Sequence, residues 1–469
     1  HFMSFKSAGY NTDTIAAIAT PSGFGAISVI RLSGSNSLKI LWNHFIPASK
    51  ISIDDIESHR LYFGSFNEED KVIDDVLVSY FKSPKSYTSE DAIEISCHGS
   101  EYIQQKILNA VLDSGARIAE PGEFTLRAFM NGKMDLSQAE AVADLIASQS
   151  ENAHRVAMNQ MRGGISTKIN ELRSKLIDFA SLIELELDFS EEDVEFADRK
   201  QFLTLIDDLN EELTSLIDSF KIGNVMKDGI PVAIIGKPNV GKSTLLNAIL
   251  NEEKAIVSHI PGTTRDTIED TYVLDGFKFR FIDTAGLRKS QDLVENIGIE
   301  RAYDKIKQAS IIIYVGDVTA LSKDSIHKVT KEFSEYINDE SKHFIFVANK
   351  IDEINEPNFK LSNVSDINLV LVSAKQNQNI DLLKESLVKV VKRYNINNDV
   401  IITNSRHYNS LVNAKKSIDN VRLGFDNNVP TDLIAIDIRH ALHELGTITG
   451  EITTDDLLGN IFGKFCIGK

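Results

Sequence analysis

One stretch of eight residues, Gly236-Lys237-Pro238-Asn239-Val240-Gly241-Lys242-Ser243, limits what this chain can fold into more than any other feature. An apolar run at 231–235 precedes it, and residues 244–250 after it have a helical pattern. A strand, a glycine loop and a helix in this order form the context of a phosphate-binding loop. The stretch therefore predicts an α/β domain that binds a phosphorylated ligand.

The residue types within this stretch suit an anion. Gly236 and Gly241 let the backbone curl so that several N–H groups point at one phosphate, and the positive end of the next helix adds to that field. Lys242 can reach the terminal phosphates, and the Ser243 hydroxyl can ligate Mg²⁺. The motif by itself leaves ATP, GTP, a kinase and a switch protein open.

Apolar runs and helical patterns alternate through residues 224–394. Strands are predicted at 232–235, 277–282, 311–315, 344–348 and 369–372, and Asp275-Gly276 predicts a tight hairpin turn. Such alternation gives a mainly parallel sheet that binds its ligand at the carboxyl ends of the strands. Motifs that follow these strands are therefore expected to meet at one site.

Three motifs do follow these strands and specify the nucleotide. In Asp283-Thr284-Ala285-Gly286, Asp283 is placed to hold Mg²⁺ through water, and the Gly286 N–H can sense a γ-phosphate. The carboxylate of Asn349-Lys350-Ile351-Asp352 can accept the ring N–H and the exocyclic amine of guanine, a donor pair that adenine lacks. Ser373-Ala374-Lys375 can close over the base. Together, in this order, they predict a GTPase.

The position after Asp-x-x-Gly departs from the Ras pattern. Ras-like switches place a glutamine there to orient the attacking water. Leu287 stands there in this chain, and its apolar side chain cannot do so. Another group is required, and Glu295 is a candidate, although a surface glutamate on a helix explains the same residue.

Residues 4 to about 130 indicate a separate α/β domain. Strands are predicted at 14–20, 26–32, 72–81 and 92–96, and a helix at 103–114 that ends at Gly115. Arg31 and Glu94 lie on two of these strands, where charged residues are usually solvated. These residues alone do not identify a ligand.

The remaining segments are helical and lie on both sides of the GTPase region. Apolar residues step by three and four through 165–187 and again through 203–220. Helices are also predicted at 405–423, 432–445 and 455–461. We interpret these segments as one helical bundle into which the GTPase region is inserted, with a coiled-coil dimer as the alternative.

Composition sets the broad class of the protein. A chain of 469 residues is too long for one core, so about three domains are expected. A net charge of −18 argues against a basic surface that grips nucleic acid unaided. Two cysteines, a start that lacks a signal-peptide pattern and the lack of a long apolar run favour a reducing cytoplasm and no membrane span.

With these motifs in hand, the chain resembles the tRNA-modification GTPase family MnmE, also called TrmE, over essentially its whole length. The matching stretches are Asp13-Thr14-Ile15-Ala16-Ala17, Arg31-Leu32-Ser33-Gly34, Arg117-Ile118-Ala119, Pro121-Gly122-Glu123-Phe124, Asp135-Leu136-Ser137-Gln138-Ala139-Glu140-Ala141, Gly262-Thr263-Thr264-Arg265-Asp266, Asp283-Thr284-Ala285-Gly286-Leu287-Arg288 and Phe465-Cys466-Ile467-Gly468-Lys469.

The resemblance implies a multidomain α/β plus α architecture. It implies an α/β tetrahydrofolate-binding and dimerisation domain at 3–130, a helical domain built from 131–223 and 395–469, and a Ras-like GTPase domain inserted at 224–394. It also implies a homodimer that works with the flavoprotein MnmG. Together they place a carboxymethylaminomethyl or aminomethyl group on carbon 5 of the wobble uridine of certain tRNAs, using a formyl- or methylene-tetrahydrofolate.

The resemblance further implies roles for individual residues. Folate contacts match Arg31, Glu94, Lys133 and Lys469, and Glu295 and Cys466 match catalytic residues. Magnesium ligands match Ser243 and Thr264. The family's ligands for a potassium ion, which acts in place of an arginine finger, match Asn239, Ser258, Ile260 and Thr263. Ser258 stands where the family commonly has threonine. GTP contacts match Asn239, Val240, Gly241, Lys242, Ser243, Thr244, Ser258, Thr263, Thr264, Asp283, Thr284, Ala285, Gly286, Asn349, Lys350, Asp352, Ser373, Ala374 and Lys375.

Two other functions share the GTPase motifs. A ribosome-assembly GTPase would normally carry a basic RNA-binding appendage, which this acidic sequence lacks. A regulatory switch GTPase would bind GTP without needing Cys466. Folate bound to the amino-terminal domain would distinguish both from the family's function.

Overall fold

A computed structural model describes residues 13–69, 71–188, 199–250, 270–282, 306–339, 341–354, 368–392 and 400–468. The chain divides into two compact units, one of residues 1–143, 160–210 and 410–469, the other of residues 144–159 and 211–409. Among the described residues, no helix is long and apolar enough to cross a membrane. The four predicted domain ranges stay predictions.

The first unit begins with a seven-stranded sheet in the order β3-β4-β5-β6-β2-β1-β7. Its elements are β1 (Thr14–Ile18), β2 (Ile27–Ser33), α1 (Ser37–Trp42), β3 (Phe45–Pro47), β4 (Arg60–Glu68), β5 (Lys71–Phe81), β6 (Ala92–His98), α2 (Glu101–Asp113) and β7 (Ala116–Ile118). The four strands and the helix predicted from the sequence are confirmed. Strands β3, β4 and β7 were not predicted.

This sheet buries one face under helices. Ile30, Ile93 and Val78 from the strands share a core with Ile107 and Val111 of α2. The alternation of inward and outward side chains along each strand explains why each strand supplies only every second residue to this core. Helix α2 therefore covers one face of the sheet only.

Long helices follow the sheet in the chain. They are α3 (Glu123–Met130), α4 (Leu136–Ala147), α5 (Glu151–Met161), α6 (Gly164–Asp188) and α7 (Arg199–Asp228). Apolar positions of α6 at three- and four-residue spacing are buried, including Ile165, Ile169, Leu172 and Leu176. This confirms the helical periodicity read from the sequence, with Phe179 buried as well.

The second unit contains a six-stranded sheet in the order β13-β12-β11-β8-β10-β9. Its elements are β8 (Ile230–Ile235), α8 (Lys242–Leu250), β9 (Asp270–Leu274), β10 (Phe277–Phe281), β11 (Ile311–Asp317), α9 (Lys323–Glu332), α10 (Ser334–Ile337), β12 (His343–Asn349), β13 (Asn368–Val372) and α11 (Ile380–Lys392). The five predicted strands are confirmed.

Every described pairing in this sheet is parallel except that of β9 with β10. The two strands join at Asp275 and Gly276, whose φ angles of 51° and 79° give the predicted tight turn. The carboxyl ends of the parallel strands β8, β10, β11, β12 and β13 consequently lie along one edge, where the sequence places the nucleotide motifs.

The chain ends with α12 (Ser405–Asp426), α13 (Thr431–Thr449) and α14 (Asp455–Phe462). Helix α13 packs along α6 in the first unit. The ring of Phe179 on α6 lies 4.7 Å from that of Phe202 and 6.2 Å from that of Phe425. Helices from both sides of the GTPase region therefore share one apolar contact, in accord with the predicted helical bundle.

Candidate functional site

The glycine loop between β8 and α8 fits only glycine at two positions. Gly236 has a φ of 147°, and a Cβ there would lie 2.2 Å from the carbonyl oxygen of Val315. Gly241 has a φ of 92°, and its Cβ would lie 2.3 Å from Nδ2 of Asn349. Both conformations are ones that side chains disfavour, so the sequence makes room for a backbone cradle at this point.

Two side chains of the loop border this cradle. The ammonium of Lys242 donates to the carbonyl oxygens of Gly236 at 2.9 Å and Lys237 at 2.7 Å, so it lies across the loop. Asn239 has a φ of 60° and is exposed. Lys242, Ser243 and Thr244 begin α8, so the positive end of that helix dipole points at the cradle. The arrangement suits an oligophosphate with its Mg²⁺.

Asn349, at the end of β12, joins the glycine loop to the loop after β13. Its Nδ2 donates to the carbonyl of Val240 at 2.9 Å, and its Oδ1 accepts from the N–H of Ala374 at 2.9 Å. Only 3% of Asn349 is exposed, so both amide ends depend on these bonds. The phosphate loop and the predicted base loop are thus fixed to each other.

The predicted base-binding residues lie next to one another. The Ser373 hydroxyl donates to Oδ1 of Asp352 at 2.6 Å and accepts from the N–H of Gln376 at 3.2 Å. Ser373 and Ala374 are buried, whereas Lys375 is exposed. The bond from Ser373 occupies one carboxylate oxygen of Asp352 and so fixes the orientation of the group.

A carboxylate that sequence reasoning missed holds Lys350. Lys350 has a φ of 70°, and its ammonium lies 2.5 Å from Oδ2 of Asp317 at the end of β11. Burial alone would raise the pKa of Asp317, but hydrogen bonds from Lys350 and Thr319 outweigh it and lower that pKa. The bond to Asp317 raises the pKa of Lys350. The sequence signal for this contact was Asp317 itself, an acidic residue at the carboxyl end of β11, which pairs in parallel with β12.

Part of the predicted nucleotide site lies outside the described residues. This part comprises Ser258, Ile260, Thr263, Thr264, Asp283, Thr284, Ala285, Gly286, Leu287 and Glu295. Ile282, which directly precedes Asp283, is described and is buried directly after β10. The roles of these residues stay predictions.

A second group of charged residues lies on the first sheet. Arg31 and Glu94 face each other across β2 and β6, and Nε and Nη2 of Arg31 donate to Oε1 of Glu94 at 3.0 and 2.7 Å. The guanidinium lies 5.7 Å from the ring centres of both Tyr87 and Phe124. Burial raises the pKa of the Tyr87 hydroxyl, so the ring stays neutral. The result is a platform made of a guanidinium–carboxylate pair flanked by aromatic faces.

Residues 466–468 reach this platform. Nη1 of Arg31 donates to the carbonyl of Gly468 at 3.2 Å. A Cβ on Gly468, whose φ is 96°, would lie 2.6 Å from the carbonyl oxygen of Ile18. The side chain of Cys466 is exposed and its carbonyl accepts from the N–H of Gly122 at 3.4 Å. The carboxyl-terminal segment therefore lies beside Arg31.

The other two predicted folate residues are not brought to Arg31 by described contacts. Lys133 follows α3, is exposed, and its N–H donates to the carbonyl of Ala128 at 2.9 Å. Lys469 lies outside the described residues, one position after Gly468. Both assignments stay predictions.

A buried ion cluster, to which sequence reasoning assigned no role, supports the same platform. Arg127, 3% exposed, pairs with Asp13 at 2.7 Å, Glu123 at 3.0 Å and Glu90 at 3.2 Å. Arg117 pairs with Glu123 at 2.6 Å. Burial would raise the pKa of Asp13, but hydrogen bonds from Arg117 and Arg127 lower it. Because the cluster fixes the first turn of α3, it positions Phe124.

Comparisons with known proteins agree with this geometry. Residues 136–466 match the family model of the MnmE helical domain, and residues 14–133 match that of the GTP-binding protein TrmE N-terminus. The tRNA modification GTPase MnmE of Flavobacterium psychrophilum is 52% identical over 464 residues, 97% of this chain and 99% of that protein.

A second relative covers the chain end to end. The tRNA modification GTPase MnmE of Cytophaga hutchinsonii is 50% identical over 468 residues, 100% of both chains. Among solved structures, the FeoB G domain from Methanococcus jannaschii matches 34% of this chain and 96% of its own at 24% identity, with a TM-score of 0.25.

Proposed function

This chain belongs to the MnmE family of tRNA modification GTPases, and we propose that it couples GTP hydrolysis to the modification of wobble uridines. With the flavoprotein MnmG it places a carboxymethylaminomethyl or aminomethyl group on carbon 5 of that base. The glycine cradle joined through Asn349 to the base loop supports the GTP part of this proposal, and the 52% identity to the Flavobacterium psychrophilum protein supports the tRNA part. A free-standing phosphate site would have no need of that connection.

Nucleotide choice follows from Asp352. Its carboxylate, oriented by the Ser373 hydroxyl, accepts the two N–H donors on the Watson–Crick edge of guanine. Adenine would leave those acceptors unpaired, which is the kind of mismatch that discriminates strongly. GTP is therefore the proposed nucleotide.

The phosphates and the metal ions belong at the glycine loop. Cradle N–H groups and Lys242 bind the phosphates, and the hydroxyls of Ser243 and Thr264 would hold Mg²⁺. Asn239, Ser258, Ile260 and Thr263 would hold K⁺. When bound, these ions supply positive charge to the β- and γ-phosphate oxygens. Glu295 would orient the attacking water in place of the missing glutamine.

The one-carbon tetrahydrofolate belongs at the Arg31 platform. Arg31 can bind a carboxylate or pterin acceptor, and Glu94 can accept pterin N–H groups, while the rings of Tyr87 and Phe124 offer flat apolar faces. The folate supplies the one-carbon unit when it is bound. Lys133 and Lys469 would add positive charge, and Cys466 lies in the segment that contacts Arg31.

A homodimer is supported by the outer face of the first sheet. Ile46, Leu61, Phe63 and Leu77 are 56, 60, 55 and 40% exposed. Phe63 pairs in register with Leu77, and Ile46 with Ser65, so these side chains share the face opposite α2. A contiguous apolar patch of this kind commonly marks an interface, here with a second copy of the chain.

We expect Phe63→Glu to convert the dimer into a monomer, because a carboxylate at the centre of the patch loses water without gaining a partner. Light scattering coupled to gel filtration measures the mass. Tyr102→Glu is the matched control, since Tyr102 is 68% exposed on α2, on the other side of the sheet. A Phe63→Glu protein that stays dimeric would contradict this interface.

The proposed function is tested by mass spectrometry of wobble uridines. Cells that lack this protein are expected to lose the carbon-5 substituent, and the full-length chain is expected to restore it. Lys242→Ala, which removes the phosphate contact, is expected not to restore it. Normal uridines in the deletion strain would refute the function, and a defect in ribosome assembly instead would favour that alternative.

A further inference from the structure

The β9–β10 hairpin joins two parts of the nucleotide site in sequence. Residues 262–266, which include the proposed ligands Thr263 and Thr264, precede β9, and Asp283 follows β10 after one residue. In GTPases, the segments that contact the γ-phosphate and Mg²⁺ change their conformation when GTP is hydrolysed. A shift in either segment therefore acts on this hairpin through the chain itself.

The turn of the hairpin is bonded to α5. Nδ2 of Asn152 donates to the carbonyl oxygen of Gly276 at 2.9 Å, and the backbone N–H of Asn152 donates to the same oxygen at 3.3 Å. A Cβ on Gly276 would lie only 3.2 Å from Nδ2 of Asn152, so glycine permits this approach. One residue of α5 thus makes two bonds to one hairpin carbonyl.

These bonds also complete the amino-terminal end of α5. The first N–H groups of a helix have no partner within the helix. Here the Ser150 hydroxyl accepts from the N–H of Ala153 at 3.2 Å, and the Gly276 carbonyl accepts from that of Asn152. Displacing the hairpin would leave the Asn152 donor unsatisfied, so the position of the turn and the start of α5 depend on each other.

Behind the turn, β10 and the helices border a cavity of about 400 Å³. Lys278 and Arg280 of β10 line one side, and residues between Asp144 and Ala157 line the other. An ion pair of 2.8 Å between Lys227 and Asp144 borders it. The cavity borders β10 at Lys278 and Arg280, and the turn of the same hairpin is bonded to α5, so a movement of the hairpin would act on α5 at the turn.

We propose that Asn152 is a positioning residue that couples the nucleotide state of the hairpin to α5, and that this coupling is needed for uridine modification but not for GTP hydrolysis. The inference rests on the proposed function. Coupling between two sites usually changes affinity by about 5- to 150-fold. We expect Asn152→Ala to lower uridine modification by roughly 10-fold and to leave kcat for GTP nearly unchanged.

The test uses the full-length protein and three variants. Asn152→Ala removes the side-chain donor, Asn152→Asp keeps its size but puts an acceptor against the carbonyl, and His154→Ala is the control, exposed on the same helix. Hydrogen exchange of α5 is measured with GDP and with a non-hydrolysable GTP analogue, beside GTP turnover and uridine modification. We expect the wild type and His154→Ala to show a nucleotide-dependent difference that both Asn152 variants lose.

The experiment tests the coupling by Asn152 separately from the proposed function in uridine modification. Identical exchange of α5 in both nucleotide states of the wild-type protein would overturn the proposal without any variant. Normal modification and normal nucleotide dependence in Asn152→Ala would overturn it too. If the wild type itself fails to restore wobble uridines, the proposed function is wrong, while the exchange comparison still decides whether Asn152 couples the hairpin to α5.

Discussion

GTP hydrolysis by this protein is expected to be about 10³-fold faster in potassium chloride than in sodium chloride at equal ionic strength. A cation held between the β- and γ-phosphates stabilises the charge that develops in the transition state, as an arginine finger does. Asn239 in the glycine loop and the lack of a glutamine at Leu287 motivate this expectation. The smaller sodium ion would fit a site built for potassium poorly.

Of the four residues of the proposed potassium site, Asn239 is the one that the structure describes. Its neighbour Val240 is buried, and Asn349 holds the Val240 carbonyl at 2.9 Å. The bond at Val240 therefore fixes the backbone on one side of Asn239. Asn239 itself has a φ of 60° and is exposed beside the cradle. An amide oxygen in that place is a ligand that hard cations accept.

Initial rates of phosphate release at saturating GTP and fixed Mg²⁺ measure the effect. Rubidium, which is close to potassium in size, is expected to replace it, and choline is expected not to. Asn239→Ala should abolish the difference between potassium and sodium while GTP still binds, because Lys242 and the cradle remain. Equal wild-type rates in potassium and sodium would contradict a potassium-selective site.

Within the described residues, the places of the glycine loop and of the loops after β12 and β13 were predictable because their signals are local. Each parallel strand of this sheet is a short apolar run, and the motifs begin where these runs end, as at Asn349, the last residue of β12. The rule that ligands bind at the carboxyl ends of parallel strands then places the motifs together. Asp275-Gly276 was predictable for the same reason, since both φ angles of the turn suit these residues.

The contacts that fix the sites were not predictable, because they join residues far apart in sequence. Asp13 and Arg127 are 114 positions apart, and Arg31 and Gly468 are 437 apart. Each looks like an ordinary surface charge or turn residue in sequence. Strand β4 was missed because its outward residues, Leu61 and Phe63, are as apolar as its inward ones, which obscures the alternation expected of a half-exposed strand.

Cys466→Ser is expected to abolish uridine modification while it preserves the fold, the dimer and potassium-stimulated GTP hydrolysis. Two explanations for a cysteine at this position compete: an apolar residue that docks the end of the chain, or a thiol with a chemical role. The structure argues against the first, because Phe465 is buried against Phe462 whereas the side chain of Cys466 is exposed. Serine is close in size and leaves the carbonyl that bonds Gly122.

Two variants separate docking from chemistry. Phe465→Ala removes the buried ring and is expected to lower the melting temperature, because the cavity it leaves is costly. Lys464→Ser is the control, since Lys464 is exposed two residues before Cys466. This variant is expected to modify tRNA normally. Wobble uridines are measured by mass spectrometry after each variant replaces the wild type. If Cys466→Ser restores them at the normal rate, the thiol has no chemical role, and the segment contributes packing and hydrogen bonds alone.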